Sequence, residues 1–323
     1  MVDWKCDSPT RIVAIGECMI ERRTDASHDV SPAFSGDTLN TLTYMARLLD
    51  RGRTDLFYIT AVGADANSDA MLAAWKTEGI NTGLVRRFRD KLPGSYTIST
   101  SPDGERRFSY DRDQSAARDL FRDDYAASLQ HSLKGFHVLY LSGISIAILS
   151  PEYRETLLIL LRSLRKTGVI IVYDPNYRAA LWESHGEARD WAARVCREVD
   201  VALPGFDDEK ALFDDATPEY TCARLTALGI TEIIVKNGSS PCTAAIGQDI
   251  ARFPVAAQEQ VVDTTAAGDS FNAAYISARL CGSDIAASVR AGQTLADLVI
   301  QYPGAIIPRA ATPSLSGLLE VTK

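Results

Sequence analysis

The 323-residue sequence lacks a long hydrophobic run. Its longest apolar stretches, residues 157–161 and 169–172, are far shorter than the roughly 20 residues that a membrane-spanning helix needs. The first ten residues mix charged and polar side chains, without the apolar centre of a signal peptide. We therefore expect a cytoplasmic protein that does not work at a membrane.

Closely spaced cysteines are also lacking. The six cysteines are scattered without any C-x-x-C spacing, which indicates reduced thiols rather than a disulfide framework or a metal site. The formal net charge is −8, which argues against nucleic acid as a partner. An anionic substrate would need a local cluster of arginines, because the overall field opposes it.

Two familiar phosphate-binding motifs are missing. The chain contains neither G-x-G-x-x-G nor G-x-x-x-x-G-K-[ST], so neither a Rossmann dinucleotide site nor a P-loop is supported. If ATP binds, its phosphates must use the N-terminus of another helix.

Apolar strands alternate with helical patterns along most of the chain. This alternation predicts a parallel sheet covered on both faces, with strands at residues 11–15, 56–62, 138–141, 169–173, 201–203 and 233–235. Ligands bind beyond the carboxyl ends of such strands, and five charged residues lie there, namely Glu17, Asp174, Arg178, Glu209 and Lys236. Residues 95–112 instead read as a β-hairpin with a turn at 102–104. It is either an antiparallel edge of the main sheet or a separate small β unit.

The stretch from Asp263 to Phe271 carries the strongest chemical signal. Small residues at 266–268 should form the turn into a helix, where free backbone N–H groups attract an anion. Asp269 lies next to that position. It is either a catalytic carboxylate or an ordinary helix N-cap.

The same stretch, 263–269, resembles the C-terminal signature of the ribokinase-like (PfkB) carbohydrate kinases. Five further stretches match that family in the expected order, at 15–21, 35–40, 140–145, 174–178 and 299–308. The resemblance implies a three-layer α/β/α domain over residues 1–323, with a mostly parallel central sheet. It also implies a small β lid from segments near 21–35 and 92–113, so the second interpretation of the hairpin is favoured.

The resemblance implies ATP and Mg²⁺ as cofactors and a sugar as the partner. It leaves open a requirement for a monovalent cation. Because a two-stranded hairpin with one apolar face is marginal alone, we expect a homo-oligomer in which lids of two subunits meet.

Residue roles follow from the matched motifs. The N–H groups of Ala266, Ala267 and Gly268 would hold the transferring phosphoryl group, and Asp269 would accept the proton of the attacking sugar hydroxyl. The nucleotide would contact Asn176, Lys236, Gly238, Ala267, Gly268 and Gln293. Glu209 would orient Mg²⁺-bound water. Asn237 and Phe206 depart from the family pattern, and without the resemblance Lys236 would be a surface lysine and Glu209 an acidic helix start.

The sugar hydroxyls would contact Gly36, Asp37 and Asn40, although Asp37 alone would pass as an N-cap. Tyr96 and Tyr110 would pack over the sugar from the lid. Arginine's planar fork suits a carboxylate, and the implied pair is Arg112 and Arg178. Arg178 could instead hold the nucleotide phosphates or pair with Asp174.

The reaction implied is phosphorylation of a 2-keto-3-deoxy sugar acid at its 6-hydroxyl. Another sugar substrate, such as fructose or the galactonate-type epimer, is one alternative. A sugar-sensing protein without catalysis is another, and Asp269 with its intact small-residue turn argues against it.

Overall fold

The structure is a computed structural model that describes residues 2–5, 9–23, 33–100, 106–247, 249–256 and 260–320. Its strands are β1 Thr10–Ile15, β2 Met19–Arg23, β3 Ala33–Ser35, β4 Thr54–Gly63, β5 Ile80–Asn81, β6 Val85–Phe88, β7 Ser95–Thr100, β8 Arg106–Asp111, β9 Val138–Ser142, β10 Ile170–Asp174, β11 Val201–Ala202, β12 Glu232–Val235, β13 Cys242–Ile246 and β14 Asp249–Phe253.

The α-helices are α1 Asp37–Leu48, α2 Ala66–Glu78, α3 Tyr125–Ser132, α4 Gly143–Ala147, α5 Pro151–Lys166, α6 His185–Cys196, α7 Phe206–Phe213, α8 Pro218–Ala227, α9 Ala267–Leu280, α10 Ile285–Val299 and α11 Leu315–Glu320. Within the described ranges, no helix is long and apolar enough to cross a membrane.

The central sheet has the strand order β14-β13-β12-β11-β10-β9-β1-β4-β5, with β6 also pairing with β4. The strands from β12 to β5 run parallel, as the alternating sequence predicts. The edge formed by β13 and β14 is antiparallel, which the sequence analysis did not foresee. The α/β fold class with a mostly parallel sheet is confirmed.

The residues of β1 show why both faces of the sheet are covered. Ile12 and Ala14 pack into a core that includes side chains of α1, α9 and α10, whereas Val13 and Ile15 pack into a second core with α5 and α6. Because successive strand residues point to opposite faces, one continuous apolar strand contributes to both cores. This arrangement makes the three layers of the domain.

Local sequence fixes the start of α5. The Ser150 hydroxyl accepts a hydrogen bond from the Tyr153 backbone N–H, and Pro151 occupies the first helical position. A serine N-cap satisfies a free donor of the first turn, and proline at that position loses nothing because its missing N–H would have no helical partner.

A second, four-stranded sheet has the order β3-β2-β7-β8, and these strands are called the lid. The hairpin of β7 and β8 is antiparallel as predicted, but β2 pairs with β7 in parallel and β3 with β2 antiparallel. The lid is therefore more than a two-stranded hairpin, so that ground for expecting a homo-oligomer falls away. The predicted turn at 102–104 and much of the segment 21–35 lie outside the described residues.

A buried carboxylate ties the N-terminus to the sheet and to α9. The side chain of Glu232 is 1% exposed, and its carboxylate accepts hydrogen bonds from Nε and Nη2 of Arg279, each at 3.0 Å. It also accepts Tyr275 Oη at 2.7 Å and Trp4 Nε1 at 3.2 Å. Each carboxylate oxygen thus has two donors, which offset the cost of burying the charge.

We predict that Arg279→Leu lowers the free energy of unfolding by about 3–5 kcal/mol, because it leaves the Glu232 charge buried without a cation. The control is Arg252→Leu, whose ion pair with Glu219 lies at the surface and should contribute at most about 1 kcal/mol. Urea unfolding of the two variants measures both effects. Equal losses would contradict the assignment.

Candidate active site

A cavity of about 550 Å³ lies between the carboxyl ends of the central strands and the lid. Most of the residues predicted from the sequence line it, namely Gly36, Asp37, Tyr96, Tyr110, Asn176, Arg178, Lys236, Gly238, Ala266, Ala267, Gly268 and Asp269. Residues from six separated parts of the predicted pattern therefore meet in one place.

The small-residue turn has the geometry of an anion site. Ala266 precedes α9 with φ of 61°, in the left-handed region, and α9 begins at Ala267. The N–H groups of the first turn therefore open onto the cavity, at the positive end of the helix dipole. Asp269 is the third helical residue, so the N-cap interpretation of this aspartate is wrong.

Side-chain nitrogen atoms donate to three carboxylates at the floor of the cavity. Asn40 Nδ2 donates to Asp269 Oδ2 at 2.9 Å, and Asn176 Nδ2 donates to Asp37 Oδ2 at 2.7 Å. The third carboxylate, Asp174, accepts from the Lys236 ammonium at 2.8 Å. Asp37 is the first residue of α1, after Gly36 as N-cap, so it too is not an N-cap.

The crowding of negative charge changes the acidity of the site. Burial, followed by the negative charge of Asp37, raises the pKa of Asp269 to about 8. The charge of Asp174 also raises it, while the hydrogen bond from Asn40 and the charge of Lys236 lower it. Burial likewise raises the pKa of Asp37. A carboxyl group with a raised pKa is a stronger base once ionised, which suits proton abstraction near neutral pH.

Gly36 lets two segments approach closely. A Cβ at Gly36 would lie 2.1 Å from the backbone oxygen of Glu17, so only glycine fits where the loop after β1 crosses the start of α1. From the lid, Tyr96 and Tyr110 reach the cavity with ring centroids 5.9 Å apart. Tyr96 is anchored by a hydrogen bond to Glu21 at 2.5 Å, whereas Tyr110 is 57% exposed.

The two predicted carboxylate-binding arginines have different surroundings. Arg112 is buried at the base of the lid, where its Nη2 pairs with Glu17 Oε2. Its side chain is not among those lining the cavity. Arg178 stands half-exposed at the cavity and pairs with Asp208 at 3.3 Å, rather than with Asp174.

A smaller cavity of about 150 Å³ adjoins the first on the other side of the Gly268 turn. Lys236, Gly238, Ala267 and Gly268 line both cavities, and Gln293 lines only the smaller one. The Gln293 amide donates to the backbone oxygen of Pro254 at 3.2 Å. The two cavities therefore share a wall at the turn.

Glu209 lies away from both cavities. Its carboxylate is 1% exposed and pairs with Arg224, which also pairs with Asp215. Burial raises the pKa of Glu209 to about 7. The predicted metal role of Glu209 therefore gains no support from this geometry, because the carboxylate is already paired below the surface. Among the described residues, no three His, Cys, Asp or Glu side chains cluster as metal ligands.

Comparisons with known proteins identify the family of this chain. The profile of the pfkB family carbohydrate kinases matches residues 9–312. The chain belongs to the PfkB family of carbohydrate kinases. It is 42% identical over 307 residues to 2-dehydro-3-deoxygluconokinase of Escherichia coli K12, covering 94% of this chain and 99% of that relative.

Solved PfkB structures share the fold at low identity. The 2-dehydro-3-deoxygluconokinase of Thermotoga maritima superposes with a TM-score of 0.80 at 19% identity, over 96% of this chain and 97% of the other. An Escherichia coli protein assigned as ribokinase II, in complex with ATP and Mg²⁺, superposes with a TM-score of 0.79 at 21% identity, over the same shares.

Several residues in or beside the larger cavity were not singled out from the sequence. Asp207 and Asp208 line the cavity at the start of α7, and their place directly after β11 was the available signal. Asn272, which is fully buried and lines neither cavity, was also not singled out. Its position three residues after Asp269 on the same helix could have pointed to it.

The raised pKa of Asp269 predicts a pH dependence. A general base must be ionised, so a raised pKa means that activity is lost as the pH falls through about 8. An ordinary aspartate, with a pKa near about 3.9, would give a flat profile at neutral pH. We expect kcat/KM for sugar phosphorylation to rise across the neutral range. Asp37→Asn should move the rise to lower pH by removing a like charge, and an unshifted profile in that variant would contradict the coupling.

Proposed function

We propose that this protein is a 2-dehydro-3-deoxygluconokinase, which transfers the γ-phosphoryl group of ATP to the 6-hydroxyl of 2-dehydro-3-deoxy-D-gluconate. The observation that carries the proposal is the meeting of Asp269, the N-terminus of α9 and the Lys236 ammonium in one cavity. The sugar is inferred from the 42% identity, over nearly the full length, to the Escherichia coli enzyme of that name.

The phosphoryl group would lie at the turn of residues 266–268. Phosphoryl transfer needs positioning and charge neutralisation more than covalent help, and free N–H groups at a helix N-terminus offer both. A methyl group added at Gly268 would lie 3.4 Å from Lys236 Nζ. The ammonium is therefore close enough to the turn to reach an oxygen of the same phosphoryl group.

The acceptor hydroxyl would be deprotonated by Asp269. Asn40 holds Oδ2 of this carboxylate, which leaves Oδ1 to face the sugar hydroxyl. Gly36, Asp37 and Asn40 would bind other sugar hydroxyls, and Tyr96 and Tyr110 would cover the ring from the lid. We propose one kinase domain over residues 1–323, with the lid as its sugar-covering part.

The carboxylate of the sugar acid would bind Arg112 and Arg178. Both arginines already have acidic partners, Glu17 and Asp208 respectively. Those partners fix the guanidinium groups in place, and each guanidinium carries five N–H donors. A substrate carboxylate could therefore bind the remaining donors of Arg178 at the cavity, whereas Arg112, whose side chain does not line the cavity, would reach it only after the base of the lid rearranges.

ATP would extend from the turn into the smaller cavity, with Lys236 and Gly238 near its phosphates and Gln293 near its base or ribose. Asn176 donates to Asp37 and would thereby join the sugar and nucleotide sides. The ribokinase II complex with ATP and Mg²⁺ supports this cofactor pair. Mg²⁺ usually binds phosphates and only one or two carboxylates. Asp207 and Asp208, which line the larger cavity, would fit that requirement better than Glu209, which lines neither cavity. The monovalent cation that the family resemblance left open and the homo-oligomer expected from the hairpin both remain predictions.

Asp269→Asn should lower kcat by roughly 10²- to 10⁴-fold, the usual range for loss of a general base. Binding of a non-hydrolysable ATP analogue should stay close to wild type, because the backbone N–H groups of the turn are kept. Coupled ADP-release kinetics and calorimetry measure the two quantities. A variant with wild-type kcat would refute the assignment of the base.

Arg112→Leu should raise KM for the sugar acid by roughly ten- to a hundredfold, the effect of losing one charge-assisted hydrogen bond. A neutral ketose makes no such bond, so its weak turnover should barely change. Arg178→Leu should weaken binding of the sugar acid. It should also lower kcat, since Arg178 would lie nearer the phosphates of bound ATP.

The matched control is Arg112→Lys, which keeps a positive charge beside Glu17 but loses the planar fork. It should retain more stability than Arg112→Leu while still losing preference for the acid. Equal losses for acid and neutral sugars in Arg112→Leu would remove the carboxylate assignment and leave a PfkB kinase for another sugar.

A further inference from the structure

Asn272 is a fully buried polar residue beneath the catalytic turn. It follows Asp269 by nearly one turn on α9. Its Oδ1 accepts a hydrogen bond from Lys236 Nζ at 3.0 Å. Its Nδ2 donates to Asp174 Oδ2 at 2.7 Å and to Tyr140 Oη at 3.0 Å. Both N–H groups and the oxygen of the amide are therefore used inside the protein.

The chemistry of its partners fixes the orientation of this amide. Lysine can only donate and an ionised aspartate can only accept, so a flipped amide would face two mismatched partners. Tyr140 Oη lies 3.3 Å from Thr41 Oγ1. The Thr41 hydroxyl in turn donates a hydrogen bond to the backbone oxygen of Asp269 at 3.1 Å. The amide thus belongs to a buried polar network that joins α9 to β9, β10, β12 and α1.

Lys236 gains its position from this network. Its ammonium has three donors, and the hydrogen bonds in the described structure use two of them, to Asp174 and to Asn272. The same ammonium lies beside Gly268. One donor thus remains for a phosphoryl oxygen at the turn, and the other two hold the flexible side chain in place.

We propose that Asn272 is a positioning residue of the phosphoryl-transfer step. It holds Lys236 and Asp174 in register with the turn, so that the ammonium meets the transferring group without first paying the entropy of ordering its four-carbon stem. Asn272 touches neither substrate. The inference rests on the proposed phosphoryl transfer, and it adds a residue for which the sequence analysis gave no role.

Simple core packing is the competing explanation. An apolar side chain would fill a buried position on α9 without needing partners, and a buried amide costs stability unless it is hydrogen-bonded. A packing role would make kcat insensitive to any substitution of similar shape. The positioning role makes kcat depend on the hydrogen-bonding character of residue 272.

The test compares the steady-state kinetics of Asn272 variants with ATP and 2-dehydro-3-deoxy-D-gluconate as substrates. Asn272→Asp keeps the shape but sets a second carboxylate against Asp174. We expect kcat to fall roughly ten- to a hundredfold, with KM for the sugar within about threefold. Asn272→Ala should show the same split between kcat and KM.

Ser277→Ala is the control. Ser277 is buried on the same helix, and its hydroxyl lacks a hydrogen-bond partner among the described residues. This variant should keep wild-type kcat. If the Asn272 variants do not fold, Tyr140→Phe provides a milder test, since it removes one acceptor of the amide and should still lower kcat by a few fold without raising KM.

A double-mutant cycle with Lys236→Met identifies the route of the effect. If Asn272 acts through Lys236, Asn272→Ala should cost little in the Lys236→Met background under single-turnover conditions. Multiplicative losses, or wild-type kcat in folded Asn272 variants, would overturn the inference. Failure of the proposed function is a different result, because wild-type protein would then not phosphorylate the sugar acid.

Discussion

Repulsion among carboxylates is the constraint on which this site depends. Asp37, Asp174 and Asp269 are brought together by three separate elements of the fold, and the Lys236 ammonium pairs with one of them, Asp174. The side-chain amides of Asn40 and Asn176 donate hydrogen bonds to the other two carboxylates, Asp269 and Asp37 respectively. Burial and repulsion together raise the pKa of Asp269, which suits the general-base role proposed for it.

The same charge distribution limits how anions can bind. The chain carries a formal charge of −8, and the three cations assigned to ligands, Lys236, Arg112 and Arg178, each already face an acidic side chain. Neither cofactor nor sugar acid meets an unpaired positive patch among these residues. Uncharged donors therefore matter, and the backbone N–H groups at the N-terminus of α9 supply them.

Much of the fold followed from the sequence because its signals are local. The β-branched run at 11–15, the Ser150-Pro151 helix start and the hairpin near 95–112 each depend on neighbours in the chain. The pairing of β2 with β7 and the antiparallel edge of β13 and β14 do not. Partner choice between distant strands depends on loop paths and side-chain packing, which no short pattern records.

The small-residue turn and most of the cavity lining could be predicted from the sequence, because residues 266–268 and Asp269 form one contiguous motif. The partners of the charged groups could not be predicted from the sequence and were seen first in the tertiary structure. It paired Glu209 with Arg224 and Arg112 with Glu17, and it set Asn272 against Lys236. The physical reason is that the energy of a buried charge depends on donors and acceptors that arrive from other elements, at distances of about 3 Å that only folding creates.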